Sequence, residues 1–512
     1  MEDVCAISDI KEKYMRDVVS VENMRKSDEY TIKNKIPSRE LMLSASMGIY
    51  NSHEWQGEIL IVCGTGNNGG DGFALASILR KNNHSVRLLL SAYPKTEDAK
   101  YYFEECKKME ITYFLYSPAL TLDGFDMIVD CLLGTGFFGE VSKEIRSIIE
   151  KINNSSAYVI SADINSGLNG DSGLGDICVK SDLTVSIGSY KSGHFLGRAK
   201  DKIGKLINAD IGIEPLDKPY KLIEKEDISG LLFVRENYSN KGTYGYLAII
   251  GGCLEYSGAV RLATMGACAM RAGAGVVRLV VPKKIADTVS LNSLEATVFP
   301  LSQTKDGYID ARKSEIENVI KGTRAVCVGM GMGQGGENED LIKYLLTSYE
   351  GVILIDADGL NTLANMDMEL LTRTKARVVL TPHLKELERL SKTPLEEIEK
   401  MPVLYAESFA EKYGVTLLLK GPTTIVTNGE NTYLIDTGCA GMATAGSGDV
   451  LSGILGALLA TKEERTVIQS TYLGAYINGY AGMVAQREMG DISQIASDTA
   501  MSVAKAIKEI RE

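Results

Sequence analysis

Short apolar, β-branched runs alternate with helically spaced stretches in two successive series along this chain, and that rhythm restricts the fold more than any other feature. In the first series Glu58–Cys63, Ser85–Leu90, Phe125–Leu133, Ala157–Ile164 and Leu183–Gly188 read as strands, and stretches such as Gly72–Lys81 carry helical spacing. These runs are apolar throughout rather than at every second residue, as strands covered on both faces must be. Between Ile213 and Ser239 the rhythm lapses into a charged segment with Pro215 and Pro219, a junction few apolar contacts could cross. The boundary is placed near Lys221, dividing residues 1–220 from 221–512. A second series follows: strand Gly245–Gly252, a helix from Ser257, and strands Val276–Val281, Arg324–Gly329, Val352–Asp356 and Arg377–Thr381. Thr423–Asp436 reads as a hairpin around Asn428-Gly429, and long helices run from Asp449 to the end. Two α/β domains, each built on a mostly parallel sheet, are expected, in keeping with a chain of 512 residues that outgrows a single core.

Charge and cysteine usage narrow the function. A formal net charge of -12 repels phosphate backbones and anionic lipid, so small molecules are expected as ligands rather than nucleic acid or membrane. The apolar stretch Val450–Ala460 is broken by Ser452 and glycines and falls short of the roughly 18 residues of a membrane span. Met1–Tyr14 has no apolar core of the kind a secretory signal needs, and Met15 is a possible alternative start. Nine cysteines occur without a Cys-x-x-Cys pair, which argues against a disulfide framework or structural zinc and for a cytoplasmic enzyme. His53, His84, His194 and His383 are the only histidines, too few for a His-rich metal centre.

The first strand runs into Gly64-Thr65-Gly66-Asn67-Asn68-Gly69-Gly70-Asp71-Gly72 and a helix, whose unpaired amides favour a phosphate. The next strand ends at Leu90-Ser91-Ala92 with no acid for a ribose hydroxyl, which disfavours an ordinary dinucleotide dehydrogenase. Two further strand ends supply Asp130, ahead of Leu132-Leu133-Gly134-Thr135-Gly136, and Asp163, ahead of Asn165-Ser166-Gly167. Either could be a mere turn former; together with the glycine loop they outline a site beyond the carboxyl ends of the strands. These motifs, with Asn23-Met24-Arg25, Asp28, Thr31-Ile32 and Ile36-Pro37-Ser38, resemble the NAD(P)H-hydrate epimerase family over residues 20–213, implying a Rossmann-like three-layer domain. The resemblance implies that Asn68, Asp130 and Ser166 share a potassium ion. It also implies that Asn67, Asn68, Gly69, Gly70 and Asp71 with Gly134, Thr135, Gly136, Phe137, Phe138, Gly139 and Glu140 hold the hydrated dinucleotide, and that Asp163 is the acid/base at the reacting ring. Leu43, Ser46 and Asn165 depart from the family pattern, which usually has an acid, a glycine and a proline there.

In the second half Gly441-Met442-Ala443-Thr444-Ala445-Gly446-Ser447-Gly448-Asp449 opens an apolar helix. Gly446, Ser447 and Gly448 can aim amides at an anion with Asp449 beside them as a base, whereas a plain helix cap would explain Asp449 but not the glycines. No Gly-Lys-Ser/Thr occurs, which removes a P-loop. This loop after a hairpin resembles the ribokinase-like fold. Lys241-Gly242-Thr243-Tyr244-Gly245, Gly251-Gly252 to Ala259, Asp356-Ala357-Asp358-Gly359-Leu360-Asn361 and Leu380-Thr381-Pro382-His383 with Glu386 narrow the likeness to ADP/ATP-dependent NAD(P)H-hydrate dehydratases over residues 222–512. It implies that Ala259, Gly331, His383 and Asp449 meet the hydrated dinucleotide, with Asp449 as catalytic base. Lys420, Gly421, Pro422, Thr423 and Thr424 with Gly448 would meet ADP or ATP, and Mg²⁺ would accompany the nucleotide. Asn240 and Asn478 stand where the family usually has histidines. The expected function is repair of hydrated NADH and NADPH, by epimerisation in the first domain and nucleotide-dependent dehydration of the S epimer in the second, in a homo-oligomer. The alternatives are a small-metabolite kinase with a scaffolding N-terminal domain and a nucleotide-binding regulator without turnover.

Overall fold

A computed structural model describes residues 15–265, 271–291, 293–335, 337–461 and 464–512. The chain separates into two compact units, one of Asp17–Tyr220 and one of Lys221–Glu512 with Met15 and Arg16. No helix among the described residues is long and apolar enough to cross a membrane.

The N-terminal unit holds a seven-stranded sheet in the order Tyr113–Leu115, Ser85–Leu90, Glu58–Cys63, Met127–Cys131, Tyr158–Ala162, Ser181–Ile187 and Ile203–Ala209. Every neighbouring pair is parallel. The apolar runs are continuous because the pleat sends successive residues to opposite covered faces. Ile59, Ile61 and Cys63 join the core with helices Ser38–Asn51, Asn67–Lys81 and Glu97–Lys108, whereas Leu60 and Val62 join Ile148, Ile149 and Ile152 of helix Lys143–Asn153. The result is three layers. After Glu58–Cys63 the chain builds outward to one side through Ser85–Leu90, then returns to build the other side from Met127–Cys131. The loops leaving these two central strands therefore diverge at a topological switch point, where open α/β sheets form their ligand crevice.

In the C-terminal unit the strands run in the order Thr297–Leu301, Val276–Pro282, Tyr246–Ile250, Ala325–Val328, Val352–Ile355, Arg377–Leu380, Thr416–Leu419, Thr424–Thr427 and Thr432–Ile435, with residues 221–223 beside the last. The pairs are parallel as far as Thr416–Leu419, and the hairpin that follows is antiparallel. Its turn sits at Asn428-Gly429, where Gly429 takes φ 89°, a conformation a side chain would resist. Helix Ser447–Ala460 is buried on every side from Val450 onward, which its apolar sequence requires. Helices Val467–Met489 and Ala496–Arg511 follow.

The strands read from the sequence recur with ends shifted by a few residues; Phe125–Leu133 shortens to Met127–Cys131 because the chain turns at Leu132 to enter the site loop, whereas Leu183–Gly188 becomes Ser181–Ile187. Strands Tyr113–Leu115 and Ile203–Ala209 are additional. They are the edges of their sheet, where one side of the backbone is open and the apolar pattern is diluted.

Candidate functional site

At the N-terminal switch point the glycine loop and the Leu132 loop are pressed together. Gly64 N–H donates to Cys131 O at 2.9 Å, and a Cβ on Gly64 would lie 1.9 Å from Leu132 O, so only glycine fits. Helix Asn67–Lys81 starts inside the motif, with Gly66 as N-cap and no side chain capping it, leaving first-turn amides for a ligand anion. A cavity of about 940 Å³ opens there. Its lining includes Asn67, Asn68, Asp71, Gly134, Thr135, Gly136, Phe137, Phe138 and Asp163, and also Asp28 and Lys191. Phe138 is 78% exposed and projects from the loop, as an apolar side chain awaiting a ligand face would. Gly69 and Gly70 instead serve packing: a Cβ on the first would meet Gly64 O at 2.1 Å, and on the second Met42 at 2.7 Å. Gly139 lies in open space with φ 91°.

Beneath the cavity Asp130 is fully buried. One oxygen accepts from Ser166 Oγ (2.5 Å) and Leu132 N (3.2 Å), the other from Ser166 N (2.9 Å) and Ser161 Oγ (3.0 Å). Burial pushes its pKa up and these hydrogen bonds only partly oppose that, so the carboxylate is short of positive charge. Asn68 Nδ2 donates to Leu133 O at 2.9 Å, and the same carbonyl lies 3.2 Å from Ser166 Oγ. Asn68 Oδ1 is buried without a hydrogen-bond partner, as an oxygen that meets a cation would be. The donors are amide, carboxylate, hydroxyl and carbonyl oxygens, which suit a hard cation. Asn165 replaces the expected proline by a polar clamp: Nδ2 donates to Val179 O, Ser181 Oγ and Lys202 O at 3.0–3.1 Å, and Oδ1 accepts from Thr184 Oγ1 at 2.6 Å. Ser46 likewise earns its place by donating to Asp71 O at 2.9 Å.

Asp163 adopts φ 64°, a left-handed conformation costly for a residue with a side chain and typical of functional sites. Its carboxylate pairs with Lys191, which is 1% exposed. Burial alone would raise the Asp163 pKa, but the Lys191 ammonium outweighs it and holds the group below the usual carboxylate range. Asp71 moves the other way, pushed far up by burial and then by Asp163 and Asp28, and Asp28 itself is raised to about 6, mainly by burial.

In the C-terminal unit three neighbouring strands end on the second site. After Val352–Ile355 comes Asp356, after Arg377–Leu380 comes His383, and after Thr416–Leu419 comes Lys420. Lys420 Nζ lies 2.9 Å from Asp356 Oδ1 and 3.5 Å from Glu386 Oε2, while Ser452 Oγ donates to Asp356 Oδ2 at 2.8 Å. Burial would lower the Lys420 pKa, yet Asp356 and then Glu386 raise it, so the ammonium is secure. Asp356 and Asp358 flank Ala357, held at φ 50° and ψ -119°, and Asp358 Oδ2 accepts from Gly333 N at 2.9 Å.

Helix Ser447–Ala460 points its uncapped start at this cluster. A Cβ on Gly448 would lie 3.7 Å from Lys420 Nζ and 3.9 Å from Asp356 Oδ2. Gly446 takes φ 92°, and a Cβ there would meet Leu262 at 2.4 Å. Asp449, in the first turn, has its pKa raised to about 7 by burial first and Asp356 second, against the pull of Lys420. Ala259 and Gly331 face each other, since a Cβ on Gly331 would come within 2.9 Å of Ala259 Cβ. His383 Nδ1 accepts from Glu386 N (3.2 Å) while Glu386 Oε2 accepts from His383 N (2.8 Å), a reciprocal cap that also fixes Glu386 toward Lys420. Thr423 Oγ1 donates to Asp436 Oδ1 at 2.8 Å, and Gly421 and Pro422 are exposed. Asn240 caps the turn Lys241–Tyr244 by accepting from Gly242 N at 2.9 Å, and Asn478 Oδ1 is buried without a partner.

Residues 37–193 match the family model described as YjeF-related protein N-terminus, and residues 247–505 match NAD(P)H-hydrate dehydratase. The bifunctional NAD(P)H-hydrate repair enzyme Nnr of Moorella thermoacetica is 33% identical over 504 residues, covering 92% of each chain. The chain belongs to the bifunctional NAD(P)H-hydrate repair enzymes. A second such repair enzyme, from Thermofilum pendens, is 32% identical over 475 residues and 88% of each chain. A hypothetical protein of Streptococcus mutans shares the fold over 57% of this chain and all of its own, with TM-score 0.50 and 21% identity. Each module is built on a mostly parallel sheet in an α/β arrangement, as expected, and membership favours repair over the small-metabolite kinase. Lys191, His194, Glu386 and Ser452 were given no role by sequence reasoning. The stretch Lys191-Ser-Gly-His194 directly after a strand was the available signal for the first two.

Proposed function

We propose that the N-terminal module interconverts the R and S epimers of hydrated NADH and NADPH at Asp163, and that the C-terminal module dehydrates the S epimer with ATP or ADP at Asp449. The observation that carries this reading is Asp449 itself, a carboxyl raised to about 7 at an uncapped helix start, among glycine amides and next to the Lys420–Asp356 pair. A base poised near neutrality beside a phosphate-binding helix start is suited to activating an alcohol for phosphoryl transfer. Asp449 takes the proton of the C6 hydroxyl as the hydroxyl oxygen attacks the terminal phosphorus, whose bond to the bridging oxygen breaks to release ADP from ATP or AMP from ADP. Phosphate then leaves C6 with the C–O bond pair while C5 gives up a proton, restoring the dihydronicotinamide.

Lys420, Gly421, Pro422, Thr423 and Thr424, with the amides of Gly446, Ser447 and Gly448, would hold the nucleotide, and Ala259, Gly331 and His383 the hydrated coenzyme. Magnesium arriving with the nucleotide would neutralise phosphate charge. In the N-terminal module the unpartnered Oδ1 of Asn68, with Asp130 and Ser166, fits potassium, which would anchor the loops that carry the substrate. Asn67 to Asp71 and Gly134 to Glu140 would then flank the hydrated dinucleotide. Free, buried thiols such as Cys63, Cys131 and Cys327 suit the reducing cytoplasm.

The test is to incubate the pure full chain with both epimers of hydrated NADH and supply ATP or ADP in turn. Complete recovery of NADH with one nucleotide is expected; Asp449→Asn should abolish it, and Asp163→Asn should stop it once the S epimer is spent. Recovery without any nucleotide would refute the dehydratase assignment.

A further inference from the structure

Asp28, Asp71 and Asp163 all open into the N-terminal cavity, and one ammonium serves them unequally. Lys191 Nζ donates to Asp163 Oδ1 and to Ile187 O (2.7 Å), whereas among the described residues no hydrogen bond or ion pair reaches the Asp71 carboxyl. His194 is the second handle on Asp163. Its Nδ1 accepts from Lys191 N at 3.0 Å, so its Nε2 carries the hydrogen and donates to Asp163 O at 2.7 Å. The ring is thereby fixed as one neutral tautomer, its pKa lowered to about 4 by burial and then by Lys191. Lys191 thus secures the charge of Asp163 and His194 its strained backbone.

Asp163 directly follows strand Tyr158–Ala162, and Asp71 stands early in helix Asn67–Lys81, which follows strand Glu58–Cys63 through the glycine loop. Both carboxyls line the one cavity of about 940 Å³, room for a six-membered ring to meet both, and the charge of Asp163 acts on Asp71. We propose that Asp71 is a second catalytic residue of the epimerase, acting as the acid on one side of C6 while Asp163 acts as the base on the other. Lys191 is the positioning residue that gives the two carboxyls unlike roles. The inference rests on the N-terminal module's epimerising hydrated coenzyme.

In the step, the Asp71 proton passes to the C6 hydroxyl. The C6–O bond breaks with its pair on the departing water while the N1 lone pair closes a C6=N1 bond. Water on the Asp163 side adds to C6, N1 recovers its pair, and the surplus proton goes to Asp163. One water leaves and one enters, C6 is inverted, and nothing is oxidised or reduced; the return reaction uses the same groups in exchanged roles. Desolvation and the neighbouring charges of Asp28 and Asp163, opposed by Lys191, keep Asp71 protonated, and Lys191 with His194 keeps Asp163 ionised. Lys95, Asp98 and Glu144 are the other charged groups lining the cavity.

The experiment follows epimerisation of the pure R epimer of hydrated NADH by the full chain across pH, without nucleotide. Dehydration of the pure S epimer with nucleotide gauges each preparation. Asp71→Asn is expected to lower kcat by about 100-fold or more, leave KM within roughly threefold, and remove the alkaline limb of the profile. Lys191→Met should move the acid limb to higher pH, because a carboxylate without its counter-charge holds its proton longer, and Lys191→Arg should move it back. The proposal is overturned if Asp71→Asn raises KM at unchanged kcat, if the alkaline limb survives it and disappears in Asp28→Asn, or if Lys191→Met leaves the acid limb in place. A wild-type chain that dehydrates the S epimer yet never interconverts the two would instead remove the epimerase reading itself.

Discussion

Replacing Asp449 by asparagine should stabilise the C-terminal module while abolishing its chemistry. The carboxyl titrates near 3.8 in an unfolded chain and about 7 in the folded site, where burial and Asp356 oppose its charge. At about 1.4 kcal/mol for each pH unit, a displacement of roughly three units corresponds to about 4 kcal/mol. The sign follows from proton uptake. Below pH 3.8 both states hold the proton and nothing is lost; between there and about 7 only the unfolded chain ionises, so stability declines; above 7 the full penalty applies. Asparagine has nearly the same shape and no charge, but its amide keeps a desolvation cost, so a gain of about 2–4 kcal/mol at pH 8 is expected. For a module of this size that is roughly 5–8 °C in the C-terminal melting transition. Calorimetry of the two full-length proteins between pH 4 and 8.5 should show the curves converging at the acid end and parting as pH rises. A variant that melts with wild type at every pH, or below it at pH 8, refutes the argument that this carboxylate is held at a thermodynamic disadvantage. The same environment predicts that dehydration by the wild type falls away as pH drops through about 7, as the base is protonated.

Lys420→Met leaves Asp356 and Glu386 buried without their cation and should cost about 3–5 kcal/mol in the C-terminal transition, measured by the same calorimetry. Gly64→Ala would drive a methyl to 1.9 Å from Leu132 O; about 3 kcal/mol should be lost from the N-terminal transition, together with epimerase activity. Ala357→Gly should relieve the φ 50° backbone and offset the added chain entropy, leaving melting unchanged or raised by about 1 kcal/mol; a clear loss would mean the conformation is unstrained. Asn68→Ala removes the unpartnered oxygen and should abolish stimulation of epimerisation by potassium over lithium, with dehydration unaffected.

The sheets, both glycine loops and the acids at strand ends were legible because they depend on neighbours in sequence. Glu58–Cys63 announces a doubly covered strand by its apolar run, and Asn67 to Gly72 announces a phosphate-seeking helix start by residues that fit no other turn so well. What lay beyond reach was every property set by partners distant along the chain. Lys191 looks like any surface lysine until strand pairing with Val19 and contact with Asp163 bury it. Asn165 reads as a departure from a proline until Val179, Ser181, Thr184 and Lys202 gather around it. Asp449 was recognisable as a base by its glycines, but its raised pKa required burial first and then Asp356, far away in sequence, to be folded beside it. Periodicity and turn chemistry are written locally in the chain, whereas desolvation and charge coupling arise only when remote segments share a volume from which water is excluded.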